Sequence, residues 1–307
     1  MSKPIRTIVA GVSHPAEDDL ALAAAAELAR WTGAALHLVH TFDLPPLFTP
    51  PELGAYSAEW VGQCVETQQG MLRAAARRTP GAESAVCHSV IGAPGPVILA
   101  TAAQVRADLV VVGAARGGRL ARAFLGTTAQ RVLRGAGCPV LVVRRPVQRP
   151  LERVLLTGDL SELSAAVHER GLDTATALFG APASARSLLV VVLPFLPQPL
   201  PPGSLRRAAH AELETFLGDR RPRAGAVEPV VRVGNPSEEI PVEAQALGAD
   251  LLVVGTHARG WAGRMVLGSA AEASVRDAPC NVLVVPPRAL VPEQPREESL
   301  TAALTPG

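Results

Sequence analysis

The chain has 307 residues, 48% of them hydrophobic, enough for two domains with well-buried cores. Its 29 basic residues nearly cancel its 28 acidic ones, which excludes the strong field of a protein built to hold nucleic acid or an anionic membrane. The N-terminal MSKPIRTIVAG has no signal-peptide core, the longest apolar run stops at Pro194, and Cys64, Cys87, Cys138 and Cys280 form no C-x-x-C pair. The expectation is a cytoplasmic protein without membrane span, zinc site or disulfide framework.

Apolar runs alternate with helical patterns along the first half. Thr7 to Val12 reads as a strand, Asp18 to Trp31 as a helix, Ala35 to His40 as a strand and Ser57 to Arg78 as a helix. A strand at Ser84 to Val90, a helix at Pro96 to Val105, a strand at Asp108 to Gly113, a helix at Thr127 to Ala136 and a strand at Pro139 to Val143 complete the βαβαβαβαβ series. Continuous runs such as LVVV, without in-out alternation, indicate strands covered on both faces by helices. Ile98, Ala102 and Val105 form one helical stripe that packs on such a sheet. Right-handed crossovers then give a doubly wound, Rossmann-like five-stranded parallel sheet, with its binding crevice outside the strands' C-terminal ends.

The series occurs twice. ADLVVVG at 107–113 returns as ADLLVVG at 249–255, an offset of 142 that continues without a gap. It carries Gly92-Ala93-Pro94 onto Gly234-Asn235-Pro236, Gly126-Thr127 onto Gly268-Ser269, and Cys138 onto Cys280. Near Ile8 and Val154 the offset is 146, and the Pro-rich stretches 44–51 and 194–202 absorb the difference. We expect domains at 1–146 and 150–288, an Arg/Pro-rich linker between them, and a flexible tail at 289–307. The last strand of each copy belongs at a sheet edge, where its backbone needs a partner.

After its fourth strand the first copy runs from Gly113 through Arg116 and Arg122 to Gly126-Thr127, and the second from Gly255 through His257, Ala258 and Arg264 to Gly268-Ser269. A glycine-bearing loop entering a helix N-terminus suits an anion, because free N–H groups and the helix dipole favour negative charge there. With A-D-L-V-V-V-G, G-x-P, L-G-[S/T] and C-P-V-L-V-V, these residues make residues 5–286 resemble a tandem universal stress protein.

In that family a G-x-x-G, nine residues, G-[S/T] motif wraps ATP phosphates. The resemblance implies ATP or ADP as ligand, with Mg accompanying the nucleotide. It places contacts at Asp159, Gly255, His257, Ala258, Gly268 and Ser269 in the second copy, and at Gly113, Gly126 and Thr127 in the first. Both copies depart from the motif, since Arg116 and Ala258 replace its second glycine. Asp159, which approaches the adenosine in relatives, is Ser13 in the first copy, so the second copy is the stronger candidate. The resemblance also implies that the two last strands meet, so that the chain forms an internal pseudo-dimer, with a further homodimer as an extension.

Structural readings stand beside these. Thr127 with Gln130, and Ser269 with Glu272, match capping boxes that need no ligand. His257 also reads as an ordinary loop histidine, His40 as structural, Cys138 and Cys280 as small buried residues, and Arg122 and Arg264 as solvated. No Ser/His/Asp arrangement, metal cluster or Walker loop occurs, so dedicated catalysis beyond slow ATP hydrolysis is not indicated. A nucleotide-free scaffold acting through protein–protein contacts is the alternative.

Overall fold

The computed structural model describes residues 4–17, 19–44, 58–114, 125–192, 203–218, 227–256 and 268–286. The first copy forms β1 (Thr7–Gly11), α1 (Leu20–Thr32), β2 (Ala35–Phe42), α2 (Ala58–Arg78), β3 (Val86–Ile91), α3 (Pro94–Gln104), β4 (Leu109–Gly113), α4 (Thr127–Gly135) and β5 (Val140–Val143). The second forms β6 (Arg153–Gly158), α5 (Glu162–Phe179), β7 (Ser184–Val191), α6 (Ser204–Gly218), β8 (Val227–Val233), α7 (Pro236–Leu247), β9 (Leu251–Gly255), α8 (Ser269–Asp277) and β10 (Asn281–Val285). Every strand and helix expected of the first copy is present, and the series repeats. The helix expected from Pro96 begins at Pro94, whose missing N–H costs nothing at the first helical turn. The strand expected from Ser84 begins at Val86, because Ala85 N–H closes a turn onto the Ala82 carbonyl.

All ten strands lie in one sheet ordered β3-β2-β1-β4-β5-β10-β9-β6-β7-β8. Pairing within each copy is parallel, whereas β5 and β10 meet antiparallel with Leu141 opposite Leu283. Those two leucines are partners under the 142-residue offset, so a pseudo-twofold axis passes between them. The expected meeting of the two last strands is therefore present, inside one chain.

The unbroken apolar runs follow from burial on both faces. Leu109, Val111, Leu141, Val143, Leu283 and Val285 enter a core beneath α1 and α5, while Val110, Val112, Val140, Val142, Val282 and Val284 enter one beneath α3, α4, α7 and α8. Both cores cross the axis. On the first face Trp31 and Phe179 meet edge to face at 6.2 Å. On the second, the predicted stripe of Ile98 and Ala102 and its repeat, Ile240 and Ala244, lie against the sheet.

The aspartate of each A-D-L motif closes its own domain. Asp108 accepts from the backbone N–H of Arg6 and Thr7, and Asp250, only 6% exposed, accepts from those of Glu152 and Arg153 at 3.0 Å. Asp250 also receives Arg145 and Gln148 of the linker. Asn281, which replaces the proline of the first copy's C-P-V, accepts from Arg144 and Arg145 N–H as the chain leaves β5. At the outer edges side chains bond a few of the strands' backbone groups. Gln69 bonds the Cys87 carbonyl and the Ser89 N–H of β3, and Arg206 bonds the Val231 carbonyl of β8. Such bonds discourage edge-to-edge association.

Replacing Leu141, fully buried on the axis, with Ala removes apolar contact from both domains at once. We expect a loss of about 2–5 kcal/mol in urea unfolding, with one cooperative transition giving way to two. Asp250→Ala removes a buried acceptor from the part-buried N–H groups of Glu152 and Arg153 and costs roughly 1–3 kcal/mol by the same assay.

Candidate functional site

In the first domain the C-terminal ends of β1, β2 and β4 diverge around a cleft of ≈ 280 Å³. Val39, Ile98 and Val112 supply apolar walls, and Ser13, Thr41, Asp43 and Thr128 bring polar groups to its lining beside Gly11, Gly92 and Gly113. This is the position a doubly wound sheet leaves for a ligand. Two glycines shape it. A Cβ on Gly11 would stand 2.7 Å from Ile98 Cδ1, so the tip of that α3 side chain rests over the bare backbone. Gly92 turns the chain from β3 into α3 at φ +131°, and its repeat Gly234 does so at +156°, which explains the glycine of G-x-P.

The loop after β1 is held by Asp19, whose carboxylate accepts from Ser13 N–H at 2.9 Å and caps α1 through Ala21 and Leu22 N–H. The second domain uses a different arrangement. Asp159 follows β6, and its Oδ1 accepts from Ser161 N–H, the Ser161 hydroxyl and the Ser164 hydroxyl, while Ser161 caps α5. Two serines thus fix the orientation of that carboxylate. Gly255 ends β9, which pairs with β6, so Asp159 and Gly255 leave the sheet on neighbouring strands.

The capping-box reading of Thr127 and Ser269 does not hold. Gly126 and Gly268 occupy the N-cap positions with nearly equal backbone angles, φ −58°, ψ 144° and φ −61°, ψ 151°, and neither helix has a side-chain cap. Thr127 and Ser269 are each the first helical residue. Gln130 and Glu272 bond one another across the pseudo-twofold axis, Nε2 to Oε1 at 2.9 Å, instead of folding back on their own helices. Gly268 N–H donates to the Thr256 carbonyl, which brings the end of β9 to the start of α8. His257, Ala258, Arg116, Arg122 and Arg264 lie outside the described residues.

The other expected positions are accounted for. His40 is buried with Nδ1 2.9 Å from the Val12 carbonyl. Cys138 and Cys280 are buried, and desolvation pushes the Cys280 thiol up to about 11, which makes it unreactive. No helix among the described residues is long and apolar enough to cross a membrane, and they contain no group of three or more metal-ligating side chains. Sequence reasoning missed Asp43 and Thr128, although one lies just beyond a strand end and the other at a helix start, where the crevice had been expected.

It also missed His168. This residue is 4% exposed on α5, and neither ring nitrogen makes a well-formed hydrogen bond. The ring meets Phe216 of α6 edge to face at 5.7 Å. It also fills the space above Gly158, where a Cβ would stand 3.0 Å from its Nε2. Burial lowers its pKa to about 4, offset slightly by the Thr157 carbonyl.

A histidine whose pKa falls on folding stabilises the fold fully above its unfolded value, near 6.5, and loses that contribution as pH falls through 6.5 to about 4. The interval corresponds to roughly 3 kcal/mol. Urea unfolding between pH 7.5 and 4 is expected to show a steeper loss for the wild type than for His168→Leu. Parallel profiles would exclude His168 as the source.

Residues 4–144 and 150–286 each match the universal stress protein family. Universal stress protein Rv2005c of Mycobacterium tuberculosis is 30% identical over 92% of this chain and 99% of its own length. Universal stress protein MJ0531 of Methanocaldococcus jannaschii is 28% identical over 40% of this chain and 72% of its own. The fold is similar to that of a putative universal stress protein from Pseudomonas aeruginosa, with TM-score 0.66 and 19% identity over 94% of this chain and 95% of that one. A universal stress protein from Archaeoglobus fulgidus gives TM-score 0.59 and 16% identity over 91% and 98%. With both halves matched and a relative aligned along nearly its whole length, this chain belongs to the universal stress protein family as a tandem, two-domain member.

Proposed function

We propose that this chain is a cytoplasmic stress-response protein that binds ATP or ADP at the C-terminal ends of its strands and signals occupancy through its surface rather than by turnover. The observation that carries this reading is the first-domain cleft, lined by both apolar and polar side chains and bordered by Gly113 and by Thr128 of α4. Its ≈ 280 Å³ lies just below the range of about 300–1,000 Å³ usual for small-molecule pockets, which suits a nucleoside with its phosphates extending towards α4. The uncapped N-termini of α4 and α8 offer backbone donors for those phosphates. Mg would be held by phosphate oxygens, since the described residues offer no acidic cage.

The second domain is the tighter site on this reading. It retains Asp159, already oriented by Ser161 and Ser164, and departs from the motif only by the methyl of Ala258. The first domain lacks that carboxylate, and its Ser13 N–H is engaged by Asp19. That engagement favours a second reading, in which the first domain is a scaffold. The β5–β10 pairing takes the place of a homodimer within one chain.

Calorimetric titration with ATP and ADP tests the proposal. Two sites of unequal affinity are expected, and Asp159→Ala should weaken the tighter one by about tenfold, as loss of a charged hydrogen-bond acceptor does. Absence of binding at millimolar nucleotide, with none released from the purified protein, would leave the scaffold reading.

A further inference from the structure

The two domains hang their crevice acids from different strands. Thr7 pairs with Ala35 in the first domain and its repeat Arg153 pairs with Ser184 in the second, so β2 maps onto β7 with Ala35 on Ser184. Thr41 and Asp43 then correspond to Val190 and Val192, the latter 62% exposed. At the neighbouring strand the exchange runs the other way, with Ser13 in the first domain and Asp159 in the second. Between these two positions each domain keeps one carboxylate, carried just past β2 in the first and just past β6 in the second.

Val39, Thr41 and Asp43 fall on one face of β2 and its extension, by the two-residue period of a strand, and all three line the cleft. Asp19 nearby is engaged in capping α1, whereas Asp43 makes no hydrogen bond or ion pair with the described residues. Its carboxylate is therefore available to a ligand. In the sheet β1 separates β2 from β4, which puts Asp43 two strand spacings, about 10 Å, across from the Gly113 side of the cleft. Phosphates extending past Gly113 towards α4 would lie at that far side, and the nucleoside would lie at the Asp43 side. Its ribose hydroxyls and exocyclic amine are donors, and a carboxylate that accepts from ribose is a recurrent feature of doubly wound nucleotide sites. We propose that Asp43 recognises the nucleoside in the first-domain cleft, accepting from its O–H or N–H donors. The inference rests on the nucleotide-binding reading above, and it gives the first domain a working site in place of a scaffold role.

The test is calorimetric titration of the full chain with ATP, with dideoxy-ATP, which lacks both ribose hydroxyls, and with inosine triphosphate, which lacks the exocyclic amine. The first-domain site is the one that Asp159→Ala leaves unchanged. Asp43→Ala should weaken ATP there about three- to tenfold, as loss of a solvent-accessible acceptor does. The analogue missing the bonded donor should bind wild type and Asp43→Ala alike, so dideoxy-ATP reports on the ribose and inosine triphosphate on the base. All three ligands carry the same triphosphate, so the lost charge of Asp43 acts on them equally and cancels in the comparison. An unchanged ATP affinity, an equal change for all three ligands, or a chain that binds nucleotide at the Asp159 site alone would overturn the inference while leaving nucleotide binding intact. A wild type that binds no ATP overturns both.

Discussion

The antiparallel pairing of β5 with β10 is the contact on which the rest of the molecule depends. Each five-stranded half would otherwise end in a Val-rich edge strand with unpaired backbone groups, the arrangement most prone to non-specific association. Pairing them converts two edges into the centre of a ten-stranded sheet. It also joins the cores, since residues of both halves enter the same clusters on each face. The linker reinforces that geometry. Arg144, Arg145 and Gln148 are bound by Asn281 and Asp250 of the second half, so the connection is itself part of the packing.

This axis explains which parts of the repeat were legible in the sequence. From Gly92 to Val143 the two copies align without a gap, and that span builds β4, α4 and β5, the elements nearest the pseudo-twofold. A length change there would displace Leu141 from Leu283 or α4 from α8. The drift in offset falls in segments further out, where a loop absorbs it at little cost. The apolar runs were legible for a related reason, since a strand buried on both faces cannot alternate. Less legible were the element ends, where a single turn bond at Ala85 or a proline's tolerance at the first helical position shifts the boundary by two residues.

The candidate site was legible where backbone geometry dictates residue type and obscure where tertiary contact does. Gly92 and Gly234 announce positive φ, and Gly113 and Gly255 mark the strand ends beside the crevice. The spacing of Thr127 to Gln130 and Ser269 to Glu272 pointed to capping boxes, because local pattern cannot reveal that a second helix stands across an axis and offers each side chain a better partner. Likewise nothing in the local sequence reveals that His168 stands where the first copy has Leu22, or that Gly158 makes room for it. That exchange is a compensated pair, a larger polar ring accepted where a side chain has been removed.

A duplicated and fused chain differs from a homodimer in what its symmetry axis permits. In a homodimer each residue near the axis faces its own copy, so a glutamate there meets a glutamate, and only self-complementary choices are stable. Fusion lifts that restriction. Gln130 faces Glu272, donor to acceptor, and Arg134 reaches Glu272 while its counterpart Arg276 pairs within its own helix. Asn281 likewise departs from Pro139, because only the second copy must hold the outgoing linker. The same freedom applies to the strand ends, where Asp159 and Ser13 no longer have to be alike. Substitutions at the axis and at the crevice can therefore differ between the copies, while the central apolar strands β4, β5, β9 and β10 that fix the fold stay alike.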